Sequence, residues 1–160
     1  VTVPNKVLKT KAKPVSDFGP ELQQLIDDMI ETMYAARGIG LAATQVNVHK
    51  RLLVLDVSEA QDTPRVYVNP TILDSEGAET CEEGCLSVPE IYADVDRPAT
   101  CTVRYQDLDG NHHEEQMEGL LATCIQHEMD HLEGILFIDH LSRLKRQMAL
   151  KKLKKLRQAA

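Results

Sequence analysis

The sequence contains no apolar run long enough to cross a membrane, which takes roughly 20 consecutive residues. The N-terminal segment 1–15 also lacks the apolar stretch that a secretory signal needs. Both absences argue against an exported or a membrane protein. We therefore expect a cytoplasmic protein with no membrane partner.

Cysteine is scarce, and the four present are Cys81, Cys85, Cys101 and Cys124. A chain of 160 residues can build a core without disulfides, so we expect reduced thiols. Internal repeats, linkers and low-complexity segments are also missing. Together with the length, these absences predict a single domain over residues 1–160.

Acidic residues are missing from the end of the chain. Segment 142–160 has eight Lys and Arg and no Asp or Glu, whereas the other 141 residues carry a net charge of −15. Leu144, Met148, Leu153 and Leu156 roughly follow one helical face. We expect residues 142–160 to form a basic C-terminal helix with Ser142 as its N-cap.

Hydrophobic periodicity predicts two further helices and several strands. Apolar residues at helical spacing predict one helix between Pro20 and Gly38, and a second helix from about Leu120 to Glu133. Pro70 is expected to end the regular pairing of one strand. The strand-like runs are 51–57, 65–73, 100–108 and 112–117, the last two joined by a predicted hairpin turn at 109–111.

A candidate metal site lies in the second of these helices, in the segment QHEMDH. His127 and His131 are four residues apart, so their side chains project from one helical face about one turn apart. Glu128 lies next to the first histidine, where its carboxylate can contact a water on the same ion. The surrounding run is apolar, and buried polar side chains there need a partner such as a cation.

The third protein ligand is not determined by spacing. A catalytic ion takes three protein ligands and one open position. Cys124 lies on the same helix as both histidines and is interpreted as packing, while His112 and His113 flank the predicted turn and are expected to be solvated. Cys81 and Cys85 remain equal candidates.

Two other classes of function use the same features. A zinc metalloprotease would take its third ligand downstream of HEMDH, where Glu133 and His140 are available. A structural metal domain or an RNA-binding module would use the basic tail. A structural site would normally be closed by four protein ligands and would not need Glu128.

Three segments together resemble the peptide deformylase family: GIGLAATQ (38–45), EGCLS (83–87) and HEMDH (127–131). They match the family patterns G-x-G-x-A-A-x-Q, E-G-C-x-S and H-E-x-D-H at every specified position. The similarity covers nearly the whole chain and is closest to the bacterial type. It implies hydrolysis of the formyl group from the N-terminal formyl-methionine of newly made proteins, with release of formate.

The resemblance also implies a fold and a ligand set. It selects Cys85 as the third ligand beside His127 and His131. It implies one divalent metal ion, physiologically Fe²⁺, with Zn²⁺, Ni²⁺ or Co²⁺ able to occupy the site. The expected fold is α+β, with antiparallel or mixed β-sheets packed around a central metal-binding helix, an N-terminal helix and a C-terminal helix.

Roles for other residues follow from the same resemblance. Glu128 is expected to accept the proton of the attacking water and to deliver it to the departing amine. The side-chain amide of Gln45 and the backbone N–H of Leu86 are implied as donors to the formyl oxygen. The Ile39–Gly40 region is implied to bind the peptide in an extended form. Leu120 and Cys124 are expected to form walls of the methionine pocket.

The roles of two residues stay open, and one further expectation concerns a partner. Asp130 either orients a metal ligand or forms a surface salt bridge, and Arg97 either pairs with Glu83 or is exposed. In the bacterial type the C-terminal helix docks on ribosomal RNA and protein, so the basic helix is implied to bind the ribosome. Deletion after about Leu144 is expected to weaken that binding and to spare activity on a short formyl peptide.

Overall fold

The computed structural model describes Thr2 and residues 5–159. Its helices are α1 (Pro20–Ala35), α2 (Gly119–Leu132) and α3 (Arg143–Ala159). Its strands are β1 (Gly40–Ala42), β2 (Leu52–Leu55), β3 (Arg65–Glu76), β4 (Glu79–Cys85), β5 (Val88–Arg97), β6 (Thr100–Gln106) and β7 (His112–Glu118). Short 3₁₀ helices cover Lys6–Lys9, Ala43–Val46 and Phe137–His140. No helix in this part of the chain is long and apolar enough to span a bilayer.

The strands form two antiparallel sheets that enclose α2. The larger sheet has the order β1-β2-β3-β6-β7, and the smaller one is the β4–β5 hairpin. Ile125 and Leu132 of α2 are buried in one cluster with Leu53, Leu55 and Tyr67 of the larger sheet. The predicted α+β fold with a central helix is therefore confirmed.

Two strand expectations differ from the structure. β3 continues past Pro70 to Glu76, because a register shift between Val68 and Thr71 absorbs the proline and pairing with β6 then resumes. The β4–β5 hairpin is absent from the strand-like runs that the sequence predicts. The residues of β4 read ETCEEGC and lack apolar alternation, so tertiary contacts and not local propensity define this strand.

The basic C-terminal helix begins as predicted, since the Ser142 hydroxyl accepts a hydrogen bond from the Lys145 N–H at 3.3 Å. Its buried face overlaps only partly with the apolar face predicted from the sequence. Ala149 and Leu153 are buried, whereas Met148 is 62% exposed. The buried pair packs into a cluster with Val88, Ile91 and Val95 of β5 and with Phe137. α3 therefore packs against the β4–β5 hairpin through β5.

Candidate active site

The fold brings Cys85, at the end of β4, next to His127 and His131 of α2. One ligand atom from each residue lies within 4.8 Å of the other two. The Nε2 atom of His131 is 3.2 Å from Nε2 of His127 and 3.3 Å from the Cys85 Sγ. Cys81, the other candidate from spacing, lies 3.9 Å from the Thr123 hydroxyl and outside this group.

The spacing of these donors fits one metal ion. Ligands bonded at about 2.0–2.3 Å in a tetrahedral site lie roughly 3.3–3.8 Å apart, close to the separations found here. A thiolate and two imidazoles suit borderline metals such as Fe²⁺, Co²⁺, Ni²⁺ and Zn²⁺. The donor set is thus compatible with each metal that the resemblance implies.

The electrostatics of the two histidines favour one positive charge between them. Burial, together with the charges of His127 and Arg97, holds the pKa of His131 well below its ordinary value. Burial also lowers the pKa of His127, but hydrogen bonds to Cys85 and Glu83 outweigh this and raise it to about 10. A metal ion would displace this proton, because only a neutral imidazole coordinates a cation.

A buried ion-pair chain orients His127. Its Nδ1 atom lies 2.9 Å from the Glu83 Oε1, so the ring donates to the carboxylate and directs Nε2 toward the other donors. The Arg97 guanidinium donates to both Glu83 oxygens at 2.6 and 2.9 Å and to Asp130 Oδ2 at 2.8 Å. Asp130 Oδ2 in turn lies 2.8 Å from His140 Nε2. Arg97 is therefore paired and buried, and Asp130 is part of the same chain.

Glu128 is buried on the cavity side of α2. Its Oε1 lies 3.7 Å from Nε2 of His127, and Oε2 has no hydrogen-bond partner among the described residues. Burial raises the pKa of Glu128 to about 7, against the opposing charges of His127 and Arg97. A carboxyl group with such a pKa can accept and return a proton near neutral pH.

The Gln45 amide is held in one orientation beside the thiol of Cys85. Its Oε1 accepts the Ala42 N–H at 2.9 Å, and its Nε2 donates to the Ser87 hydroxyl at 3.1 Å. The same Nε2 lies 3.5 Å from the Cys85 Sγ, which also accepts the Ser87 N–H at 3.4 Å. Ser87 had no role assigned from the sequence, although it is the last residue of the EGCLS segment.

A cavity of about 450 Å³ opens onto these side chains. Ile39, Gly40, Leu86, Leu120 and Cys124 are among the residues that line it. Burial raises the pKa of the Cys124 thiol to about 12, so this side chain stays uncharged near neutral pH. The cavity residues missed from the sequence are Arg37, Glu82, Val88, Pro89, Glu90, Ile91, Tyr92 and Thr123. The β-branched and aromatic residues of β5 were the feature of the sequence that could have predicted this strand of the cavity wall.

The alternative ligands lie elsewhere. His140 contacts Asp130, and Glu133 pairs with Arg51 at 2.5 Å. His112 and His113 are exposed on β7, as expected, and His113 pairs with Asp107 at 2.7 Å. Neither Glu133 nor His140 therefore supplies the downstream metal ligand that a zinc metalloprotease would need.

Comparisons with known proteins agree with this geometry. The family model for polypeptide deformylase matches residues 1–147. A peptide deformylase of Erythrobacter litoralis is 59% identical, with 99% of this chain and 96% of the relative covered, and one of Novosphingobium aromaticivorans is 57% identical, with 100% and 97% covered.

Solved structures give the same result. A peptide deformylase from Legionella pneumophila superposes with a TM-score of 0.95 at 48% identity, covering 99% of this chain and 94% of the other. One from Synechococcus elongatus, in complex with actinonin, has a TM-score of 0.90 at 47% identity, covering 94% and 84%. The chain thus belongs to the peptide deformylase family of hydrolases.

Proposed function

We propose that this protein is a metal-dependent deformylase. It hydrolyses the formyl group from the N-terminal formyl-methionine of newly synthesised proteins and releases formate, a role that fits the cytoplasm. The observation that carries the proposal is the meeting of Cys85, His127 and His131 beside the buried Glu128 at the inner end of one cavity. Membership of the family supports the same reaction.

The mechanism follows from the side chains around this point. Cys85, His127 and His131 would hold one divalent ion, physiologically Fe²⁺, which when bound supplies Lewis acidity that lowers the pKa of water. Glu128 accepts the proton of the attacking water and passes it to the departing amine. Its burial and its pKa of about 7 suit both transfers.

Gln45 and Leu86 stabilise the charge that develops on the formyl oxygen. The Ala42 N–H fixes the Gln45 side chain with its amide N–H groups directed toward Cys85 and Ser87. Leu86 follows Cys85 directly, so its backbone N–H lies next to the same ligand. Each donor aimed at the oxygen is expected to lower the barrier by about 3 kcal/mol.

The peptide binds along the edge of the larger sheet. β1 is the terminal strand of that sheet and pairs with β2 on one side, so its other edge is available to an extended chain. The Ile39–Gly40 region supplies the backbone groups, apart from the Ile39 carbonyl, which accepts the Asp56 N–H at 2.8 Å. Leu120 and Cys124 form the apolar walls that receive the methionine side chain.

The reaction can be tested with Glu128→Gln. The variant keeps the shape of the side chain and loses the proton acceptor, so formate release from a short formyl-methionyl peptide should fall by about 10²–10⁴-fold. Metal content, measured after anaerobic purification, should stay at that of the unmodified protein. Glu31→Gln, which changes an exposed carboxylate on α1, should keep full activity.

Full formate release by Glu128→Gln would remove the proposed mechanism. A second assay separates this function from that of a metalloprotease. The unmodified protein should leave internal bonds of an acetylated peptide intact, because the structure supplies neither downstream ligand to the metal group. Cleavage of that peptide at a comparable rate would favour the metalloprotease instead.

We further propose that α3 binds the ribosome through its basic residues. Lys151, Lys154 and Lys155 are exposed on a helix that extends from an otherwise acidic chain. Phosphate groups of RNA attract such a surface without regard to sequence. Deletion of α3 would also uncover the apolar cluster that contains Ala149 and Leu153, so substitutions on its exposed face give the sharper test.

Replacement of all three lysines by Gln should weaken binding to purified ribosomes. It should also lower the slope of log affinity against log salt concentration, by roughly 0.7–0.9 for each lost phosphate contact. Activity on a short formyl peptide should persist. The control removes the same charge outside α3, at Lys11, Lys13 and Lys50. Equal binding by both triple variants would refute the role of α3.

A further inference from the structure

Arg97 is the centre of the ion-pair chain behind the metal group. Its side chain is 6% exposed, and its guanidinium uses one edge for both oxygens of Glu83 and Nη1 for Asp130. A planar guanidinium with acceptors on two sides has its plane fixed by them. The position of Glu83 therefore depends on the residues that hold Arg97 on the side opposite Glu83.

Asp130 and His140 lie on the side of Arg97 opposite Glu83. Asp130 Oδ2 accepts from Arg97 Nη1 and lies 2.8 Å from His140 Nε2, so one oxygen joins both side chains. His140 ends the 3₁₀ helix that precedes α3. Both residues line a second cavity of about 300 Å³, on a face of α2 different from the one that carries Glu128.

We propose that Asp130 and His140 are positioning residues for the metal centre. They fix Arg97, Arg97 holds Glu83, and Glu83 orients the imidazole of His127. This role rests on the proposed metal-dependent function, since it needs a metal ion at Cys85, His127 and His131.

The contacts made by Asp130 and His140 are important because the Arg97 guanidinium is buried. The Asp130 side chain is 23% exposed, but the guanidinium that it binds is almost completely buried. Without the negative charge of this carboxylate, the Arg97 guanidinium would lose its ionic partner on this side, in a place where water replaces it poorly. Loss of an outer partner of a metal-binding histidine typically lowers metal affinity by about 10–100-fold. His140 is 36% exposed, so water replaces it more easily and its effect should be smaller.

The test uses the full chain loaded with Co²⁺, whose visible absorption reports its thiolate and imidazole ligands. The rate of Co²⁺ release to an excess of chelator is measured for each variant. Asp130→Asn should accelerate release by about 10-fold, and His140→Ala by about 3-fold, with a shifted Co²⁺ spectrum in the first. His113→Ala is the matched control, because it breaks a histidine–aspartate contact of similar length on β7 and should change neither readout.

A double-mutant cycle tests whether the effect passes through Glu83. In the Glu83→Gln background, Asp130→Asn should cause no further acceleration, because the carboxylate that connects Arg97 to His127 is already absent. Multiplicative effects of the two substitutions would overturn the proposal. So would an Asp130→Asn variant whose metal-free melting temperature falls while its release rate and Co²⁺ spectrum stay unchanged.

Different experimental results would contradict the proposed reaction and this positioning role. If the unmodified protein binds Co²⁺ with a thiolate signature but releases no formate, the reaction is wrong, and the release rates still decide the role of Asp130. If the unmodified protein binds no metal, both are wrong.

Discussion

Gly38 and Gly40 make room for side chains that other segments supply. A Cβ on Gly38 would lie 2.9 Å from the Cδ1 of Leu86, and a Cβ on Gly40 would lie 3.0 Å from the carboxyl carbon of Glu128. Neither glycine has a positive φ. From the sequence, Gly38 is expected to end the first helix and Gly40 to lie in the peptide-binding region. Their steric role was not predictable, because it depends on residues about 50 and 90 positions away.

Gly40→Ala should therefore reduce catalysis directly. The added methyl group would meet the Glu128 carboxyl group at a separation that requires one of them to move by a few tenths of an ångström. Because catalysis depends steeply on the position of the proton acceptor, turnover of a formyl-methionyl peptide should fall on the order of tenfold. Gly19→Ala serves as control, since its Cβ would meet only the Asp17 side chain within 4 Å. Unchanged turnover in Gly40→Ala would contradict this steric role.

At the scale of elements, the β4–β5 hairpin joins the active site to α3. Its chain carries Glu83 and Cys85, while Val88, Ile91 and Val95 pack with α3 and Phe137. The sequence predicted α3 and its charge correctly, because both follow from composition and helical spacing. It did not predict which face is buried, because Ala149 lies there in place of a larger apolar residue.

Leu153→Ala measures the contribution of α3 to stability. Leu153 is buried against β5, so its truncation leaves a cavity and should lower the free energy of unfolding by about 2–5 kcal/mol. Met148→Ala, on the exposed side of the same helix, should change it by less than about 0.5 kcal/mol. Chemical denaturation of both variants gives the comparison. Similar losses in the two would mean that α3 does not pack on the hairpin.

At the scale of the whole molecule, the choice between Cys81 and Cys85 shows what spacing could not provide. Four residues separate them, so on one strand both side chains fall on the same face. Their positions along β4 differ by roughly 13 Å, however, and the packing of the hairpin on α2 decides which thiol reaches the histidines. Cys81 reaches Thr123 and Cys85 reaches His131. The family resemblance selected Cys85, the thiol that lies beside the two histidines in the structure, because it carries that tertiary information.

Acid stability also depends on contacts between distant parts of the chain. Asp56 follows β2 and accepts hydrogen bonds from Tyr34 of α1 at 2.5 Å, from the Ser58 hydroxyl at 2.5 Å and from the Thr63 N–H at 3.1 Å. Burial raises the pKa of Asp56, but these donors outweigh it and lower the pKa to about 2. The carboxylate therefore connects α1 to the segment between β2 and β3 in its charged form.

The pKa of Asp56 is lower in the folded chain than its ordinary value of 3.8, so this carboxylate stabilises the fold above about pH 4. That stabilisation, about 2 kcal/mol, is lost as the pH falls from 4 toward 2. Asp56→Asn should be less stable at pH 7 and should lose less free energy of unfolding over this interval than the unmodified protein. Denaturant titrations at several pH values measure the difference, with exposed Asp94→Asn as control. An equal loss in Asp56→Asn and the unmodified protein would show that Asp56 does not control acid unfolding.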